Sequence, residues 1–266
     1  MLPNFLGIGA ARAGTNWIAR NMAQHPDVFL PYKKELHFFD AHYEKGPAQY
    51  EAEFAEWSGQ KAVGEITPKY LHDEHAASRI YELLPDAKLI VSLRNPVDRA
   101  YSSYWKSRAS FPDETLATFA ERRKVLPDLV EAGLYHKHLE RYFALFPREQ
   151  IHILLFEEIE SAPERVLADL FTFLAVDAAF VPTTLHNKIN AGAAQGAMGR
   201  SKVLELLARS FGRLGIAKMS ARLEEANQRD VPEMDAATRA ELTAIYRQPN
   251  AILQEMLGRD LSAWGV

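Results

Sequence analysis

The chain has 266 residues, 47% of them hydrophobic, and a formal net charge of −4. That is enough apolar material for the core of a full domain, and the acidic balance argues against a general nucleic-acid binder, whose affinity rests on a basic face. With no cysteine, neither a disulfide nor a thiolate nucleophile or metal site can form, and the nine histidines show no His-x-x-x-His pair beside a carboxylate, so no metal is expected.

The first predicted element is a buried strand, Asn4-Phe5-Leu6-Gly7-Ile8-Gly9, short, apolar and closed by glycine. A small-residue loop, Gly9-Ala10-Ala11-Arg12-Ala13-Gly14, follows, and Trp17, Ile18 and Met22 then recur at the spacing of a helix face over 15–24. Strand, glycine loop and helix N-terminus make a phosphate cradle. The free N–H groups around Ala13, Gly14, Thr15 and Asn16 and the positive end of the helix dipole point at an anion in the loop. The interval from Gly9 to Gly14 equals that of a Walker A loop, but Thr15 and Asn16 stand where that motif needs Lys and Ser/Thr. The cation sits inside the loop instead, at Arg12, whose guanidinium can fork onto two oxygens of a phosphate or sulfate. A tight turn with a surface arginine is the plain alternative.

His25-Pro26-Asp27 ends the helix, and Lys33-Lys34-Glu35-Leu36-His37-Phe38-Phe39-Asp40 sets two lysines, a carboxylate and an imidazole beside two aromatics. Here the chain resembles the sulfotransferases that use 3′-phosphoadenosine 5′-phosphosulfate (PAPS), especially the heparan-sulfate type and its bacterial relatives. Their signature is a glycine loop with Lys or Arg before Gly-Thr, followed by a Lys-Glu-Leu-His-Phe-Phe-like segment. The resemblance implies a P-loop-like three-layer α/β domain with a central, mainly parallel sheet flanked by helices. It also implies that Arg12 holds the phosphosulfate, that Glu35 is the general base and that His37 helps position the acceptor or the carboxylate. An extended segment would turn Glu35 and His37 to one face and Leu36 to the core, with Lys33 and Lys34 close enough to keep Glu35 ionised.

Residues 41–60 carry Tyr50, Phe54 and Trp57 at helical spacing, predicting a short amphipathic helix. Lys61 to Ile66 reads as a second strand, turned out by Thr67-Pro68-Lys69-Tyr70. In the resembling family this stretch is Glu-Lys-Thr-Pro-x-Tyr on the acceptor side. Ile66 replaces that lysine, which leaves open whether Lys69 substitutes for it. A helix over 74–84 precedes the most strand-like run, Ala87 to Leu93, apolar throughout as in a central parallel strand. Arg94-Asn95-Pro96 then opens another helix, with Asn95 as N-cap and Pro96 in its first turn. Ser102 lies about two turns along it. This resembles the family's second signature, in which the arginine and the serine, here Arg94 and Ser102, hold the cofactor's 3′-phosphate.

Residues 109–131 are polar, and Arg122-Arg123-Lys124 reads as a solvated face or a loop over an anionic acceptor. A helix through Phe143, a strand over 150–156 and a helix from Pro163 to Leu174 follow in the family's order. The Gly- and Ala-rich stretch 182–200 reads as a loop. By resemblance Asn190 and Arg200 close over the cofactor, and a surface linker is the alternative. Residues 201–229 read as an amphipathic helical segment, the part that resembles the family least, and Leu257-Gly258-Arg259-Asp260-Leu261-Ser262-Ala263-Trp264 resembles its closing region.

The expectation is one domain over 1–266, binding PAPS and transferring its sulfuryl group to a hydroxyl, or an amine, of a carbohydrate, glycolipid or small metabolite, without metal. The rivals are a P-loop phosphotransferase and a non-catalytic nucleotide-binding module. No run of about 18 apolar residues is present to span a membrane, and the opening run, broken by glycines and without a basic flank, is not a signal peptide. A cytoplasmic protein is therefore expected, with its oligomeric state and acceptor left open.

Overall fold

The computed structural model describes residues 1–110, 118–186 and 232–266. The expected cofactor contacts Asn190 and Arg200, and the segment 201–229, lie outside them. β1 (Phe5–Gly9), β2 (Val28–Phe29), β3 (Ala62–Ile66), β4 (Lys88–Leu93) and β5 (Ile151–Leu155) form one sheet in the order β2-β3-β1-β4-β5. Every pairing is parallel. The mainly parallel sheet expected from the apolar runs is thus present, and its order, which the sequence left open, puts β1 at the centre.

Because side chains alternate across a strand, the sheet feeds two cores. Leu6, Ile8, Leu89, Val91 and Leu93 enter one, and Phe5, Ile90 and Leu154 the other. On the first face lie α2 (Phe38–Ala41), α3 (Pro47–Ala52), α4 (Ala76–Leu83) and α8 (Tyr135–Phe143), through residues such as Phe39, Tyr50, Ile80 and Tyr142. On the second lie α1 (Thr15–Met22) and α10 (Pro163–Leu174), through Trp17, Ile18, Met22, Leu167, Leu170 and Phe171. Helices on both faces give the three-layer architecture. A satellite core joins α5 (Pro96–Ser110), α6 (Phe119–Val125), α7 (Asp128–Glu131) and the closing helix α11 (Ala236–Leu257) around Tyr104, Phe119, Leu129 and Tyr246. One further helix, α9 (Phe156–Ser161), leaves β5 directly.

Two local expectations need correction. The stretch 41–60 is not one helix: Gly46, at φ 79°, breaks it between a 3-10 turn at Tyr43–Lys45 and α3, with Pro47 in the first turn of the new helix. Tyr50 and Phe54 are buried as aromatic spacing predicted, but Trp57 is 38% exposed. Nor is Arg122-Arg123-Lys124 a solvated face. Arg122 is buried against α5, donating to the carbonyl of Ser107, and Arg123 pairs with Glu241 of α11. The cluster therefore ties helices together, and only Lys124 of the three is exposed.

Candidate active site

β1 and β4 are neighbours, yet the chain leaves them for opposite halves of the sheet. The crevice at their carboxyl ends is the switch point at which open α/β sheets take ligands. β1 leads into the loop 10–14 and β4 into Arg94. Gly14 caps α1 at φ 87°, and a Cβ there would stand 3.0 Å from Ile159 and 3.1 Å from Phe156, so the turn requires glycine. No side chain caps the helix, which leaves its first N–H groups to an incoming anion. Ala13 is buried, with its carbonyl accepting from the Ser92 hydroxyl and its N–H turned to Ala10 at 3.3 Å, so it shapes the cradle rather than opening onto it.

Arg12 sits on top of this loop at φ 72°, in the left-handed region. Its Nε donates to Ser102 Oγ at 3.0 Å, and its Nη2 is buried with no partner. Burial, followed by the charges of Arg94 and Arg99, lowers its pKa to about 10. Arg94 donates to the Arg12 carbonyl at 3.3 Å and lies over the Phe156 ring at 4.5 Å. Asn95 caps α5 as expected, accepting from Val97 N–H at 3.0 Å. The two signatures therefore meet through Arg12: Arg94 and Ser102 each bond to it, and no hydrogen bond joins those two among the described residues. The neighbouring guanidinium groups thus disfavour the charged form of Arg12, an effect that an anion placed among them would offset.

A cavity of about 330 Å³ is lined both by Arg12, Thr15 and Asn16 of the loop and α1 and by Glu35 and His37. Lys69 borders it too, whereas Ile66 faces a second cavity of about 450 Å³, which shares Thr15, Asn16 and Glu35 with the first. The segment carrying Glu35 and His37 is not extended. Both residues have φ 54°, and this left-handed pair, not a strand, sends their side chains out while Leu36 is buried. Three of the four non-glycine residues with positive φ among the described residues are Arg12, Glu35 and His37, a clustering of backbone strain that accompanies functional sites. Glu35 Oε2 lies 3.6 Å from His37 Nε2, and His37 Nδ1 lies 2.9 Å from Asp40 Oδ2. With Asp40 accepting the Nδ1 proton, Nε2 is the nitrogen turned to Glu35 and the cavity. Lys33 pairs with Glu53 at 3.2 Å rather than with Glu35.

Three residues at the site were not singled out from the sequence. Asp40 carries the signal of an acid three residues after a histidine at a helix start. Arg99, 1% exposed, lines the cavity; it donates to Ser103 Oγ at 3.3 Å and to the Leu129 carbonyl, and its Nε is buried without a partner. Glu65 is an acid inside a buried strand, with burial pushing its pKa up to about 7 against the hydroxyls of Thr67 and Tyr70. Among the described residues no group of three or more His, Asp or Glu side chains is placed to hold a metal ion.

A family model described as a sulfotransferase domain matches residues 2–191. Human heparan sulfate glucosamine 3-O-sulfotransferase 3B1 is 31% identical over 267 residues, covering 97% of this chain and 64% of that protein, so the chain spans less than two thirds of that relative. The crystal structure of a sulfotransferase from Alicyclobacillus acidocaldarius superposes with a TM-score of 0.74 at 31% identity, covering 99% of both chains. A mouse sulfotransferase solved in complex with PAP shares the fold alone, at 15% identity and a TM-score of 0.54 over 97% of this chain and 89% of that one. Sequence signatures, sheet order and these matches agree, and the chain belongs to the sulfotransferase family.

Proposed function

We propose that this protein transfers the sulfuryl group of PAPS to a hydroxyl of a carbohydrate-type acceptor. The observation that carries the reading is one cavity lined by both the Arg12 loop and Glu35 with His37. Such a site brings an anion-binding loop and a proton acceptor together. The names of similar proteins support the reading: one is a heparan sulfate sulfotransferase, and one that shares the fold was solved with PAP. The unpartnered Arg12 Nη2 and the uncapped N-terminus of α1 fit a phosphosulfate. Arg94, one bond away through the Arg12 carbonyl, is assigned with Ser102 to the 3′-phosphate.

In the reaction the acceptor oxygen attacks sulfur, the bond from sulfur to the bridging phosphate oxygen breaks, and the electron pair leaves on PAP. Glu35 takes the hydroxyl proton, a contribution of roughly 10² to 10⁴ in rate. His37, with Asp40 on Nδ1, orients Glu35 and faces the acceptor. Arg12 and the loop amides stabilise the charge growing on the phosphate. The phosphotransferase reading is not favoured, since Thr15 and Asn16 leave the loop without its Lys and Ser/Thr pair.

Incubation with ³⁵S-labelled PAPS and a panel of heparan sulfate, other glycans and glycolipids tests this. Label should pass to a carbohydrate, and no transfer to any member of the panel would contradict the reading.

A further inference from the structure

Glu65, in β3, is 2% exposed, and among the described residues no lysine or arginine pairs with it. Hydroxyls surround it instead. Thr67 Oγ1 donates to Oε2 at 2.7 Å, Tyr70 OH donates to Oε1 at 2.7 Å, and Tyr50 OH reaches Oε1 at 3.5 Å. Two of these hydroxyls pass the contact on. Thr67 Oγ1 accepts from the N–H of His37 at 3.4 Å, and Tyr70 OH accepts from the N–H of Phe38 at 2.9 Å. Two consecutive backbone N–H groups, at 37 and 38, are thereby tied through hydroxyls to one buried acid in β3.

This arrangement has a direction. A hydroxyl owns one proton, and at pH 8, with Glu65 ionised, its carboxylate can only accept, so both hydroxyls point their protons at Glu65 and keep lone pairs for the 37 and 38 N–H groups. The segment they hold is the one whose left-handed residues, Glu35 and His37, would be unfavourable without such over-determination. We propose that Glu65 is a positioning residue: through Thr67 and Tyr70 it fixes the backbone at 37 and 38 and so aims Glu35 and His37 into the cavity. The inference rests on the sulfuryl-transfer reading of that cavity.

Glu65→Gln keeps the shape but turns one acceptor oxygen into a donor, facing a hydroxyl proton. At pH 8 it should lower kcat at least tenfold with the Kd for PAP within threefold. It should also lower the hydrogen-exchange protection of the His37 and Phe38 amides at least tenfold while leaving the β1 and β4 amides protected. In a Glu35→Gln background it should cost little further, since both act through the same base. If Glu65→Gln does not fold, Thr67→Val with Tyr70→Phe breaks the same relay and is read in the same way. Wild type inactive on every acceptor would sink the functional reading, and the exchange data would still decide the role of Glu65. Unchanged protection at 37 and 38, or an active wild type with kcat in Glu65→Gln within twofold, would overturn the proposal.

Discussion

Arg12 Nε donates to Ser102 Oγ at 3.0 Å, tying the loop after β1 to the helix after β4 across the switch point of the sheet. One guanidinium thus belongs to both anion corners, and the chemistry proposed for it follows. Arg12→Ala should reduce kcat at saturating PAPS by about 10² or more, the scale for losing one donor to a developing oxyanion. Arg12→Lys should retain part of that activity. Steady-state kinetics decide, and a rise in KM with kcat unchanged would confine Arg12 to binding.

The proposal assigns Arg94 to the second phosphate. A hydrogen bond to a charged group contributes roughly 1.5 to 3 kcal/mol, so Arg94→Ala should weaken PAP binding by at least about tenfold. Affinity for adenosine 5′-phosphate should be unaffected. Calorimetry of both nucleotides against both proteins tests this, and equal losses for the two would remove the 3′-phosphate assignment.

Glu65 gives the fold a pH dependence of defined sign. Its native pKa is raised from 4.5 to about 7, chiefly by burial, so the native state holds the proton more tightly than the unfolded chain. The resulting stability is complete below pH 4.5 and is lost as pH rises through about 7, a contribution of about 3 kcal/mol. Glu65→Gln lacks it. Denaturation at several pH values should show the variant gaining on wild type between pH 4.5 and pH 8, and a difference independent of pH would contradict this.

Gly14 couples the cradle to the core. Alanine there meets both the left-handed φ and the contact with Ile159, and should cost about 1–3 kcal/mol in stability, visible in the denaturation midpoint. An unchanged midpoint would show that the turn relaxes freely.

Much of this was legible in the sequence, for physical reasons. Apolar runs gave β1, β4, β5 and the parallel sheet. The Gly9–Gly14 loop and Asn95-Pro96 gave both strand-to-helix corners, because capping is local chemistry. Glu35 and His37 were placed at the cleft, but by the wrong backbone: an extended segment and a left-handed pair both send alternate residues outward, and only the hydroxyl relay from Thr67 and Tyr70 selects the second. Arg99 and Glu65, the latter noted only as the first residue of a family-like stretch, received no role because their meaning lies in distant partners, Leu129 for one and the backbone at 37 and 38 for the other. The basic run at 122–124 misled for the same reason, since Arg122 is buried by packing between helices that a charge pattern does not display.

The central claim is that Glu35 takes a proton from an acceptor held opposite the Arg12 loop. It is tested most directly by Glu35→Gln, measured for PAP affinity by calorimetry and for ³⁵S transfer from saturating PAPS on the same preparation. The account predicts PAP binding within a fewfold of wild type and turnover lower by roughly two orders of magnitude or more. Near-normal turnover in Glu35→Gln, with collapse in His37→Ala instead, would contradict it and move the base to the imidazole.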